Sequence, residues 1–85
     1  MISCRSVIST NHGLHAANAM SLSRAASDYQ CKITLESAKG VADCKNVLSL
    51  MSLGAKQGES LILTADGPDE KLAMGYLSGI LRTIL

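Results

Sequence analysis

Residues 11–19 read Asn-His-Gly-Leu-His-Ala-Ala-Asn-Ala, which is a glycine turn followed directly by residues that favour a helix. The first backbone N–H groups of a helix lack partners within it and carry the positive end of its dipole, so they attract anions. His15 stands at this predicted helix start, and a histidine ring nitrogen can accept a phosphoryl group. The stretch therefore predicts a helix from about Ala16 to Ser27, with a phosphate site at its first turn.

Alternating apolar residues on either side of this helix predict four strands. The predicted strands cover residues 2–8, about 31–36, 41–44 and about 61–65. A turn at residues 38–40 joins the second strand to the third as a hairpin. The first helix is expected to bury one face at helical spacing, formed by Ala19, Leu22 and Ala26.

Two further helices complete the predicted fold. Asn46 is a suitable N-cap for a short helix over residues 47–53. Pro68 is expected at the first position of the last helix, with Asp69 and Glu70 in its first turn. That helix carries an apolar stripe of Ala73, Leu77, Ile80, Leu81 and Ile84. The order βαββαβα predicts an α+β fold, an open-faced β-sandwich with a four-stranded antiparallel sheet and three helices on one face.

Composition limits the classes of function. The 85 residues leave room for one domain, residues 1–85. Tyr29 and Tyr76 are the only aromatic residues and the net charge is +1, so nucleic-acid binding is not expected. No apolar run reaches the ~20 residues of a membrane span, and the N-terminus lacks the apolar region of a signal peptide. We therefore expect a cytoplasmic protein without membrane insertion.

The cysteines do not indicate a disulfide or zinc site. Cys4, Cys31 and Cys44 are odd in number and lack paired spacing, so we expect three small, buried, reduced hydrophobic residues. His12 and His15 alone would make an incomplete metal shell, because no cysteine or carboxylate lies near them in the sequence. Neither a metal nor a cofactor is expected.

Three ordered segments resemble HPr, the histidine-containing phosphocarrier family of the bacterial phosphotransferase system. Residues 13–16 (Gly-Leu-His-Ala) with Ala19 resemble its active-site loop, residues 50–58 its second signature, and residues 67–70 its acidic start of the last helix. The resemblance covers essentially the whole chain. It implies a phosphoryl carrier that receives its group from enzyme I, charged by phosphoenolpyruvate, and passes it to the IIA domains of sugar permeases.

The resemblance also implies roles for single residues. His15 would be the phosphoryl acceptor, and the backbone N–H groups of Ala16, Ala17 and Asn18 would hold the phosphate oxygens. Such a protein carries a group rather than turning over a substrate, so its standing as an enzyme stays open. We expect a monomer whose partner-binding surface contains Met20, Arg24, Val47, Leu48 and Met51.

The chain departs from the family around the histidine. Ala17 and Asn18 stand where the family carries an arginine and a proline. A charge-assisted hydrogen bond contributes roughly 1.5–3 kcal/mol, so its loss weakens binding or transfer by about one to two orders of magnitude. His12 either lends a positive charge to the phosphate or is an ordinary turn histidine. Arg24 lies about 10 Å along the helix axis from position 17, which is too far to replace the arginine within one molecule. An alternative is therefore a regulatory or protein-binding module with weak or no phosphotransfer. A third is a module joined functionally to a non-sugar phosphotransfer system or to a metabolic enzyme.

A second departure concerns regulation. Asn46 stands where Gram-positive relatives carry a serine that a dedicated kinase phosphorylates. Asparagine has no hydroxyl to modify, so this route of regulation is expected to be lost. The nearby Ser49 and Ser52 are interpreted as ordinary helix-surface residues.

Overall fold

The computed structural model describes all residues, 1–85. Its helices and strands follow the predicted order βαββαβα, and the α+β class is confirmed. The elements are β1 Ile2–Val7, α1 Ala16–Ala26, β2 Lys32–Ser37, β3 Gly40–Asp43, α2 Val47–Ser52, β4 Ser60–Asp66 and α3 Glu70–Ile84. None of the helices combines the length and the apolar character that crossing a bilayer requires.

The sheet has the strand order β1-β4-β2-β3, and every neighbouring pair is antiparallel. Because β4 enters the sheet between β1 and β2, Val7 at the end of β1 pairs with Ser60 at the start of β4. The loop that leaves β1 and the loop that leads into β4 therefore lie at the same end of the sheet. This topology places the residue 8–15 loop beside residues 54–59.

The core is aliphatic, as the scarcity of aromatic residues requires. Alternation places Leu61, Leu63 and Ala65 of β4 under the helices, where all three are buried. The predicted inner face of α1 is also buried, and α3 buries Leu77 and Leu81 completely. Each fully buried leucine contributes about 1.5–3 kcal/mol to the free energy of unfolding. The helices are thereby fixed on one face of the sheet.

The start of the last helix differs from the prediction. α3 begins at Glu70 with Asp69 as its N-cap residue, so the placement of Pro68 at the first helical position was wrong. The Asp69 carboxylate makes no cap hydrogen bond but accepts the backbone N–H groups of Gln30, at 2.8 Å, and Cys31, at 2.9 Å. These two hydrogen bonds to the chain before β2 keep residues 67–69 in a turn, so that the helix begins only at Glu70. The periodicity of the sequence does not reveal such a contact.

The cysteines divide into two groups. Cys31 lies just before β2 and Cys44 just after β3, and both are buried. Burial raises the pKa of the Cys44 thiol to about 12. Cys4 is only partly buried because β1 is an edge strand, so the expectation of full burial was wrong at this position. All three thiols are free.

Candidate functional site

His15 forms the N-cap of α1, and its ring takes part in the cap. The backbone at His15 is extended, and Nδ1 accepts the backbone N–H of Ala17 at 3.2 Å. A ring nitrogen that accepts a hydrogen bond carries no proton, so the neutral ring holds its proton on Nε2. The lone pair of Nδ1 therefore faces the positive end of the helix. The residue is otherwise exposed to solvent.

The side chain of Asn18 closes the cap from the opposite side. Its Oδ1 accepts the backbone N–H of His15 at 2.8 Å, and its Nδ2 donates to the carbonyl oxygen of Gly13 at 3.0 Å. The bond between the Asn18 side chain and the His15 backbone and the bond that the His15 ring accepts from the first turn together form a capping box, and Asn18 is only 6% exposed. Only the backbone of Asn18 was predicted from the sequence to take part in the site, and the role of its side chain was not predicted. The available signal was a polar residue three positions after the cap.

The histidine loop is fixed to residues 54–58. The backbone N–H of Leu14 donates to the carbonyl oxygen of Ala55 at 3.0 Å. Gly13 has a φ of 64°, and a Cβ at this position would lie 2.4 Å from that same oxygen, so a larger residue does not fit. The close approach also brings the Lys56 backbone against the loop, with its Cα 3.0 Å from the position of a Gly13 Cβ. The proximity of Lys56 to this site was not predicted from the sequence.

A second imidazole stands beside His15. The ring centroids of His12 and His15 are 6.0 Å apart and their planes meet at 87°, an edge-to-face arrangement. Both residues are exposed. No cluster of three or more histidine, cysteine, aspartate or glutamate side chains lies close enough together to hold a metal ion.

Backbone amides dominate the first turn of α1. The first hydrogen bond within the helix runs from the N–H of Ala19 to the carbonyl oxygen of His15, at 2.9 Å. The N–H groups of residues 16–18 thus precede the helical ladder and point toward its open end. Ala17 is exposed and presents no charge, while Arg24 lies in the last turn of the helix.

The predicted partner-binding residues lie on α1 and α2, which pack against each other. Met20, Leu48 and Met51 are exposed large hydrophobic residues, whereas Val47 packs partly against the core. A shallow groove of about 630 Å³ also runs between α1 and α3. Ala17, Met20 and Arg24 form one wall of this groove, and Tyr76 from α3 lines the other. The proximity of Tyr76 to α1 was not predicted from the sequence.

The start of α2 has the predicted cap. The Oδ1 of Asn46 accepts the backbone N–H of Ser49 at 3.1 Å. The hydroxyl of Ser49 accepts the backbone N–H of Asp43 at 3.0 Å, and the hydroxyl of Ser52 donates to the carbonyl oxygen of Ser49 at 2.7 Å. Both serine hydroxyls therefore take part in local hydrogen bonds.

Comparisons with known proteins agree with this geometry. The family model described as the PTS HPr component phosphorylation site matches residues 2–83. The phosphocarrier protein HPr of Mycoplasma pneumoniae is 32% identical over 71 residues, which cover 82% of this chain and 81% of that protein. HPr-C-His from Thermoanaerobacter tengcongensis has a TM-score of 0.89 and 30% identity, covering 98% of this chain and 93% of that chain.

A Mycoplasma histidine-containing phosphocarrier protein superimposes with a TM-score of 0.93 at 24% identity, covering 96% of this chain and 93% of that chain, and supports the fold. Together, the fold and the matched segments point to the family of small phosphocarrier proteins of the bacterial phosphotransferase system. The chain belongs to the HPr family.

Proposed function

We propose that this chain carries a phosphoryl group on Nδ1 of His15. Enzyme I, charged by phosphoenolpyruvate, is the proposed donor, and IIA-type proteins of sugar uptake are the proposed acceptors. The observation that carries the proposal is the hydrogen bond from the Ala17 N–H to Nδ1, which holds an unprotonated nitrogen at the positive end of α1. Membership of the HPr family supports the same chemistry.

Transfer to His15 follows from this geometry. The Nδ1 lone pair forms the new bond to phosphorus, while the bond between phosphorus and the donor breaks and leaves its electron pair on the donor. The Ala17 N–H, which donates to Nδ1 at 3.2 Å, then donates to a phosphate oxygen instead. The N–H groups of Ala16 and Asn18 stand beside it and complete an anion site of backbone amides. Passage to the acceptor is the reverse displacement.

The Asn18 side chain supports this site indirectly. Its hydrogen bonds to the backbone of His15 and Gly13 hold the loop in the conformation that aims the helix amides at Nδ1. Asn18 is thus a positioning residue whose backbone N–H also supports the phosphate. The departure from the family's proline therefore adds a support to the loop.

Partner proteins are proposed to dock beside the phosphate on the exposed hydrophobic residues of α1 and α2. Met20, Leu48 and Met51 supply adaptable apolar contacts, with Arg24 and Val47 at the edges of the surface. The carrier is proposed to act as a cytoplasmic monomer, although HPr from Thermoanaerobacter tengcongensis is also known as a dimer.

A regulatory or protein-binding module is the second candidate, and Ala17 is the observation that favours it. An exposed alanine offers no cation to the phosphate or to a partner. Such a module would keep the docking surface and transfer slowly or not at all. In either case Asn46, which caps α2 through its amide oxygen, offers no hydroxyl to a serine kinase.

Intact-mass measurement after incubation with phosphoenolpyruvate and enzyme I tests the carrier proposal. The natural protein should gain one acid-labile phosphoryl group, and His15→Ala should gain none. His12→Ala is a matched control because it removes the neighbouring imidazole and leaves the acceptor. Labelling that persists in His15→Ala contradicts the assignment of the acceptor, and a natural protein that gains no mass favours the module.

A further inference from the structure

The proposed transfer uses His15 as the acceptor and gives no role to the neighbouring His12. Their ring centroids are 6.0 Å apart, and no hydrogen bond joins the rings. We infer that protonated His12 is the positive partner of a phosphoryl group on His15, so that the pH sets how firmly the site holds this group. This inference rests on the proposed function, because it concerns the phosphorylated state of the same residue.

The separation suits an intervening phosphate. The rings meet edge to face and are both exposed, so neither is locked against the core. Charge-assisted N–H···O bonds span about 2.7–2.9 Å, so an exposed His12 ring that turns toward Nδ1 can donate to a phosphate oxygen held there. Gly13, whose left-handed backbone and contact with Ala55 fix the turn, keeps the two histidines on the same side of the loop.

The other charges around the loop do not change sign near neutral pH. Lys56 and Glu59 belong to the segment packed against the histidine loop. The backbone N–H of Lys56 donates to the Glu59 carboxylate at 3.2 Å. Arg24 lies at the far end of α1. Lysine, arginine and glutamate side chains keep their charge between pH 6 and 8, whereas histidine is the residue type whose charge changes in that range. Once the phosphoryl group occupies His15, His12 is the remaining side chain among these whose charge changes in that range.

The coupling works in both directions. If a proton on His12 stabilises the phosphoryl group on His15, that group must raise the proton affinity of His12 by the same factor. One charge-assisted hydrogen bond predicts a factor of about ten or more.

The first measurement avoids the partner proteins. Phosphoramidate, a small-molecule phosphoryl donor that releases ammonia, is used to phosphorylate the natural protein, and fragment mass spectrometry assigns the group to His15. NMR then follows the titration of His12 before and after phosphorylation. Phosphorylation should strengthen proton binding by His12 about ten-fold. An unchanged titration overturns the inference.

The second measurement compares His12→Gln, which is neutral, with His12→Lys, which is always charged. Equilibrium exchange of the phosphoryl group with enzyme I is measured at several pH values. The natural protein should hold the group about ten-fold more firmly than His12→Gln at pH 5.5 and about equally at pH 8.5. His12→Lys should hold the phosphoryl group more firmly than His12→Gln at both pH values. Lys56→Gln should show the same dependence on pH as the natural protein.

The two measurements separate the possible failures. A natural protein that enzyme I does not phosphorylate contradicts the carrier proposal, yet the NMR titration of the chemically phosphorylated protein still tests the histidine pair. A pH profile that is the same in the natural protein and in His12→Gln overturns the inference while leaving the carrier intact. Loss of the pH profile in Lys56→Gln would overturn the assignment of that profile to His12.

Discussion

Replacing Ala17 with arginine tests how the site manages without the family's cation. Ala17 is the second residue of α1, is exposed, and donates its own N–H to Nδ1 of His15 at 3.2 Å. A guanidinium on this residue starts within the first turn and can reach a phosphate on the ring. Since the side chain points toward the shallow groove between α1 and α3, Ala17→Arg needs no repacking of the core.

The expected gain follows from one new charge-assisted hydrogen bond. Such a bond contributes about 1.5–3 kcal/mol, and about 1.4 kcal/mol is ten-fold in rate or affinity. Alanine and arginine differ little in helix propensity, so the stability of α1 should change by only a few tenths of a kcal/mol. We therefore expect Ala17→Arg to speed phosphorylation of His15 by enzyme I about ten-fold or more.

The assay is the rate of His15 phosphorylation at matched concentrations of the natural protein, Ala17→Arg and Ala17→Gln. The glutamine variant has a long polar side chain without a charge, so it should stay close to the natural rate. Equal rates for the arginine variant and the natural protein would refute the reasoning. They would mean that the helix amides and the histidine pair already supply what a guanidinium adds.

Two further predictions concern the structure that supports the site. Asn18→Ala removes both hydrogen bonds of the Asn18 side chain and should lower the free energy of unfolding by about 1–2 kcal/mol. Urea unfolding measures this change, with Ser21→Ala on the exposed face of α1 as the control. An equal loss in both variants contradicts the structural role of Asn18. Asp69 accepts two backbone N–H groups before β2, and these bonds lower the pKa of its carboxyl. Because the unfolded state then binds more protons, the stability from Asp69 is complete above its unfolded pKa of about 4 and is lost as the pH falls through the lower folded value. Unfolding midpoints of the natural protein and Asp69→Asn should therefore converge as the pH falls below about 4. A difference that stays constant with pH would contradict this linkage.

The sheet and the helix faces were predictable because they depend on local periodicity. Leu61, Leu63 and Ala65 alternate along one strand, and Ala19 and Leu22 share one side of a helix, so each pattern has one favourable orientation against a core. The start of α3 was mispredicted because Asp69 makes its hydrogen bonds to residues 39 and 38 positions earlier in the chain. Propensity and capping rules consider only neighbours in sequence.

The candidate site shows the same division. His15 at a helix start is visible in the sequence because the glycine turn and the alanines lie beside it. The proximity of Lys56 could not be predicted, since it depends on β4 inserting between β1 and β2 and on the contact between Gly13 and Ala55. The role of the Asn18 side chain was also hidden, because histidine is an unusual partner in a capping box.

The two departures from the family affect different parts of the same anion site. Loss of the arginine at position 17 removes a side-chain charge, which acts whatever the exact conformation of the loop. Asn18 instead fixes the backbone of His15 and Gly13, and this makes the neutral amides of the first turn more effective because their dipoles are held in place. Backbone amides do not titrate, so pH dependence beyond the ionisation of the phosphate and of His15 itself must come from another side chain, and His12 stands 6.0 Å from the acceptor ring. A site with a fixed arginine would hold the phosphoryl group over a broad pH range, whereas this arrangement of amides and a second histidine makes its retention depend on proton concentration.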